Sequence, residues 1–169
     1  KSKDNTKHLS KMLIETLVKL HEIKPVDVAL ENYGKPEGFL SRQLIGWYKR
    51  GVIAHGNEKS KNMEILFKIL NSQKIPEEKE FVILHNDFKL DNIILKKPLN
   101  SQNVFPQAII DWDQATRGHP LFDLATLLSY WTLNKDSSDM LLLNQMPSET
   151  PGFISRKEAL NLYQKLSGR

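Results

Sequence analysis

The chain has 169 residues, 40% of them apolar, a formal net charge of +4 and no cysteine. That length supports one modest core and leaves little room for a second domain, so a single unit over 1–169 is expected, and the lack of cysteine excludes disulfide and thiolate chemistry and fits a reducing compartment. Lys and Arg lie scattered among acids rather than gathered in a stripe, which argues against nucleic acid, while the absence of a long apolar run or a basic-plus-apolar leader argues against a membrane and for the cytoplasm.

In chain order, Leu9, Leu13, Leu17 and Leu20 recur at helical spacing and predict a helix over 6–23, closed by Pro25. Val26 to Leu40, holding Gly34, Pro36 and Gly38, reads as a loop. Ser41 can cap a short helix that ends before Gly51, and residues 60–73 predict another ahead of a turn at Pro76. FVIL (81–84) and IIL (93–95) are short apolar, β-branched runs that predict two strands with a tight polar connection, and a third run, QAII (107–110), leads into Asp111. Pro120 suits the first turn of a helix to about Asn134. Residues 135–154, rich in Ser, Asn and Pro, read as a mobile connection, and Ser155 with Glu158 forms a capping box for a last helix. The class that results is α+β, mainly helical, with a few short strands carrying the interesting loops.

Between the first two strands, His85, Asp87 and Asn92 fall in an H-x-D-x-x-x-x-N pattern. A carboxylate in such a loop can accept the proton of an attacking hydroxyl, and an amide oxygen five residues on can reach a magnesium ion on nucleotide phosphates. Asp111, at the end of the next apolar run, supplies a second candidate ligand for magnesium. Taken singly, an Asp or Asn at a strand end is by default a turn former; the spacing of the three together favours chemistry. Lys89 could offset charge on a transferred phosphoryl group or simply be solvated. His85 reads as a structural support for the loop, and Asp91 and Asp113 as turn residues or supports rather than ligands.

LHNDFKLDNIIL (84–95), IIDWDQA (109–115) and GHPLFDLA (118–125) resemble the catalytic loop, magnesium-binding segment and following signature of the aminoglycoside phosphotransferase and choline kinase superfamily, which has a protein-kinase-like fold. KPEGFLSRQLIGWYKR (35–50), LLSYW (127–131) and PGFISRKEALNLYQKLSGR (151–169) are similar to a subfamily related to the amino-terminal domain of acyl-CoA dehydrogenase family members. The resemblance implies ATP and Mg2+ as cofactors, Asp87 as base with Lys89 assisting, Asn92 and Asp111 as metal ligands, and Asp123 as a structural carboxylate beneath the loop. It also departs from the pattern: Asn86 stands where many members have Gly, and Asp113 where many have Glu. Asn tolerates unusual backbone angles, and Asp keeps the charge.

With eight glycines but no G-x-G-x-x-G or P-loop pattern, the chain resembles the large, carboxyl-terminal lobe alone. Without the small nucleotide-binding lobe, the isolated chain is expected to be inactive. The implied reaction is transfer of the γ-phosphoryl group of ATP to a hydroxyl of a small molecule, and the subfamily resemblance implies a hydroxyacyl-CoA or related hydroxy acid derivative as that acceptor. Amino alcohols of the aminoglycoside or choline type are the alternative acceptors, and a non-catalytic nucleotide- or ligand-binding module is the alternative of another class. Arg42, Trp47 and Tyr48 read either as helix packing or, with the 34–40 loop, as the border of an acceptor pocket.

Overall fold

A computed structural model describes residues 3–59, 61–73, 80–99, 101–142 and 144–169, with the side chains of 57–59 left aside. Helix α1 (Lys3–Glu22) opens it, and a 3-10 turn at Pro25–Val28 stops α1 because proline cannot continue a helix. Helices α2 (Phe39–Lys59) and α3 (Lys61–Ser72) follow. Then come β1 (Val82–Leu84), β2 (Ile93–Lys96), β3 (Phe105–Ile109) and β4 (Thr116–Gly118), and α4 (Leu121–Ser129), α5 (Ser138–Leu142) and α6 (Arg156–Ser167) complete the order.

The four strands form two antiparallel pairs, β1 with β4 and β2 with β3. The strands flanking the 85–92 loop therefore pair outward, not with each other. Pairing Val82 with Gly118 and Leu84 with Thr116 brings the segment before the loop alongside the segment after Asp111. Pairing Ile93 with Ile109 sets Asn92 next to Ile110, whose N–H donates to the Asn92 carbonyl at 2.9 Å. The register slips between Ile94 and Leu95, opposite Pro106, where proline removes a ladder donor.

The core gathers on α1, whose Leu13, Ile14 and Leu17 are fully buried and pack with Phe88, Leu124, Leu127, Trp131, Ala159 and Tyr163. Each such large side chain contributes about 1.5–3 kcal/mol by leaving water. Helix α6 lies against α1, capped as the sequence predicts: Ser155 Oγ accepts from the Glu158 N–H while Glu158 accepts from the Ser155 N–H. Among the described residues, no helix is long and apolar enough to cross a membrane.

Three expectations need correction, and Pro76 lies outside the described residues. Helix α2 does not stop before Gly51 but continues to Lys59, broken in angle only at Gly56 (φ 73°, ψ 164°). At Gly51 the α2 backbone lies close under the end of the Met63 side chain of α3, which a Cβ would displace. Helix α4 ends at Ser129 rather than near Asn134. Ending there lets Trp131 turn inward, where its ring meets Phe153 and its Nε1–H donates to the Ile154 carbonyl at 2.8 Å. The 135–154 segment is no featureless connection: it contains α5 and buries Met146, Ser148 and Ile154.

Asp123, in the first turn of α4, is fully buried. The N–H groups of His85 and Asn86 donate to its Oδ2 and Oδ1, each at 2.7 Å. Removing the carboxylate strands both donors, so Asp123→Ala should lower unfolding free energy by about 3 kcal/mol, measured by urea denaturation, whereas Asp123→Asn keeps one acceptor and should lose less.

Candidate functional site

The loop from His85 to Asn92 is tied down from several sides. Below it lies Asp123, which also faces His21 Nε2 at 3.3 Å, a long contact. Burial pushes the Tyr163 hydroxyl up to about 12, so it keeps its proton and donates to His21 Nδ1 at 2.7 Å. That leaves Nε2–H of His21 to face the carboxylate. A buried chain therefore runs from α6 through α1 to α4 and into the loop.

His85 is fully buried. Its Nδ1 accepts from the Asp87 N–H at 3.3 Å, which leaves Nε2 to donate to the Ile110 carbonyl at 2.9 Å. One imidazole thus links the loop to the residue before Asp111, and the Trp112 ring lies 4.8 Å from it. Asn86 takes a left-handed angle (φ 65°), and its Nδ2 donates to the Gln114 carbonyl at 2.7 Å. Asp111 is left-handed too (φ 65°) and exposed. These are residue types that tolerate such angles, and held strain of this kind gathers at functional sites.

Asp87 carries the densest set of contacts. Lys89 Nζ lies 3.0 Å from Oδ2, Tyr130 donates its O–H to Oδ1 at 2.9 Å, and Asn92 Nδ2 donates to the Asp87 carbonyl at 2.8 Å and to Oδ2 at 3.2 Å. Burial pushes the Asp87 carboxyl up, but hydrogen bonds from Lys89 and Tyr130, the Lys89 charge and Asn92 together outweigh burial and hold it below the usual carboxylate range. Tyr130 moves the other way, pushed up to about 12 by burial and by its bond to Asp87. Lys89 also sits 5.2 Å over the Tyr130 ring and donates to Gln145 at 3.2 Å, so it is a fixed cation rather than a solvated one.

The structure thus brings Asp87, Lys89 and Asn92 into direct contact and places Asp111 one residue beyond Ile110, which is bonded to both His85 and Asn92. With Nδ2 spent on Asp87, Asn92 keeps its amide oxygen for another partner. That oxygen and the Asp111 carboxylate are hard donors of the kind magnesium takes. Among the described residues no cluster of three or more His, Cys, Asp or Glu forms a metal cage. Asp91 and Asp113 are exposed and make no part of this contact set.

Tyr130 is the residue that sequence reasoning missed. Its signal was present in the spacing: Asp123 and Tyr130 lie seven apart, two turns along one face of α4 and its end. Tyr130 also lines a cavity of about 510 Å3, with Gln43, Trp47 and Arg50 from α2, Asn86 and Gln114 from the loops, and Phe122 and Thr126 from α4. The Arg42, Trp47 and Tyr48 group divides. Trp47, 60% exposed, faces this cavity. Tyr48 stacks on Phe67 of α3 at 4.4 Å, and Arg42 donates to the carbonyls of Lys35 and Glu37. Among the described residues, none of the 34–40 loop lines the cavity.

Comparison with known proteins identifies the family and the fold. The model of a family described as the phosphotransferase enzyme family matches residues 1–152. Acyl-CoA dehydrogenase family member 11 from Gallus gallus is 32% identical over 161 residues, covering 93% of this chain and 20% of its own. The Homo sapiens protein of the same name is 31% identical, covering 92% of this chain and 19% of its own. This chain therefore spans about a fifth of the length of these relatives. A crystal structure from Ralstonia eutropha, assigned to the aminoglycoside phosphotransferases, superposes with a TM-score of 0.77 at 23% identity, covering all of this chain and 50% of that one. At that identity the likeness speaks to fold, and the α+β, kinase-like architecture expected from the sequence is the one found.

The contacts on Asp87 set its titration. In a carbon-13 carboxyl titration Asp87 should protonate below the ordinary carboxylate range, so its stabilising contribution is present above the unfolded-state value and is lost as pH falls through the folded one. Tyr130→Phe removes a donor to the charged form, so the Asp87 pKa should rise in that variant; an unchanged value would contradict the assignment of that bond.

Proposed function

Because the chain belongs to the phosphotransferase enzyme family, we propose that it is the large lobe of a kinase that moves the γ-phosphoryl group of ATP onto a hydroxyl of a small molecule. The observation that carries this reading is the contact of Asp87 with Lys89 and Asn92, joined through Tyr130 to a cavity of about 510 Å3 that Tyr130 lines.

In the proposed reaction the acceptor hydroxyl enters from the cavity past Tyr130 and donates to a carboxylate oxygen of Asp87. Oδ2 is taken by Lys89 and Asn92 and Oδ1 by Tyr130 alone, which leaves a lone pair on Oδ1 for a further donor. As the acceptor oxygen bonds to the γ-phosphorus and the bridging bond to the nucleotide breaks, the hydroxyl proton passes to Asp87 and the nucleoside diphosphate leaves. A base held charged by two fixed donors is oriented before the acceptor arrives, which is where most of the rate gain in such a transfer lies. Lys89 places a positive charge next to the transferred group. Asn92 and Asp111 would hold Mg2+, which when bound neutralises charge on the phosphates. Ile94, opposite Ala108, and Ile110 on the same side of the β2–β3 pair present an exposed apolar face next to these two residues, suited to a flat heteroaromatic base.

The finer reading is that the acceptor is a hydroxyacyl-CoA or related hydroxy acid derivative. Its support is the similarity of nearly the whole chain to part of proteins named for acyl-CoA chemistry.

The metal assignment has a direct test. Asp111→Asn keeps the size and the left-handed backbone tolerance while removing the charge. In the full chain, magnesium-dependent phosphoryl transfer, followed by phosphorus NMR, should fall by at least about a hundredfold with an unchanged melting temperature. Retained turnover would refute the role of Asp111.

A further inference from the structure

We propose that the cavity beside Asp87 selects an anionic acceptor, with the Arg50 guanidinium, fixed against Trp47, as the group that reads the negative charge. This rests on the phosphotransfer reading for the hydroxyl, but its argument comes from the cavity wall.

Gln43, Trp47 and Arg50 fall at i, i+4 and i+7 of α2 and so share the face that forms one wall. The Arg50 guanidinium lies 4.5 Å over the Trp47 ring. Gly46 leaves the space it occupies: a Cβ at that position would stand 3.2 Å from its Nη1. The exposed Arg50 side chain therefore lays its guanidinium between an aromatic face and a glycine, which puts a positive charge on this wall. Among the described residues no carboxylate pairs with it. The remaining polar lining is Gln43, Asn86, Gln114, Thr126 and Tyr130, all uncharged donors and acceptors, and none of the lining residues is acidic. Asn86 Oδ1 is buried and lacks a hydrogen-bond partner.

Charge arithmetic then separates acceptor classes. An acceptor with ammonium groups would meet one cation and no anion along this wall, since the nearby Asp87 is already matched by Lys89. An acceptor with a carboxylate or phosphate would gain a charge-assisted, bidentate bond to Arg50, with its hydroxyl toward Tyr130, the lining residue that is bonded to Asp87. The class that fits is a hydroxylated small molecule whose anionic group lies across the cavity from the reacting hydroxyl. Amino alcohols and aminoglycoside-like polyamines do not fit.

The test needs no phosphoryl transfer. ω-Hydroxy acids of four, six and eight carbons are titrated into the nitrogen-15-labelled full chain against ω-amino alcohols of the same lengths, reading the Trp47 indole N–H resonance. At least one hydroxy acid should bind about tenfold more tightly than its amino alcohol counterpart, and Arg50→Gln should abolish that preference while leaving the melting temperature unchanged. Equal or tighter binding of the amino alcohols, a preference that survives Arg50→Gln, or no movement of the Trp47 resonance with any probe would overturn the assignment. A protein that carries this lobe together with a nucleotide-binding lobe, shows the preference and yet never transfers phosphate would instead overturn the phosphotransfer reading and leave this one standing.

Discussion

The carboxylate of Asp123 is the contact on which the rest of the site depends. Two successive backbone N–H groups, of His85 and Asn86, end on its two oxygens, and a buried carboxylate is tolerated there because those donors satisfy it. From that anchor the loop's geometry propagates. With its backbone fixed, His85 turns its ring to bridge the Asp87 N–H and the Ile110 carbonyl, and Asp87 is presented to Lys89, Asn92 and Tyr130. Behind Asp123, Tyr163 and His21 connect it to α6 and α1. Arg169 closes the same corner, pairing with Glu80 ahead of β1 and donating to the His21 carbonyl. The 85–92 loop is thus suspended from the core, not from its own turn.

That arrangement explains how two residues can hold left-handed angles side by side. Asn86 and Asp111 each cost the fold something that any extended residue would not. Asn86 is held by its bonds to Asp123 and Gln114, and Asp111 by the bonds on either side of Ile110. The same economy governs charge. Asp87 is partly buried, which alone would favour its neutral form, yet three donors keep it ionised and aimed.

Much of this was legible in the sequence, and for definite reasons. Helix α1 announces itself through leucines at helical spacing, α6 through a capping box, and the catalytic loop through a spacing that few other uses would require. Asn86 was readable as a position needing an unusual angle. What stayed hidden were decisions made by tertiary contacts. Gly51 reads as a helix stop, but the helix runs through it and breaks at Gly56 instead. Helix α4 reads as longer than it is, because nothing local says that Trp131 will turn into the core against Phe153. The division of labour among Arg42, Trp47 and Tyr48 is set by which neighbours each meets. Tyr130 was missed because a tyrosine beside a tryptophan near a helix end looks like core, and only the approach of Asp87 across 43 residues gives its hydroxyl a purpose.

The most direct test of the account is amide hydrogen exchange at His85 and Asn86, followed residue by residue in the native chain. Both lie in a loop outside any strand ladder, yet if the Asp123 carboxylate holds them as described they should exchange as slowly as the Leu13 and Leu17 amides of α1, opening only with global unfolding. Exchange at the rate of an exposed loop would mean that the catalytic loop is not suspended from Asp123, and the account of how Asp87 is positioned would fail with it.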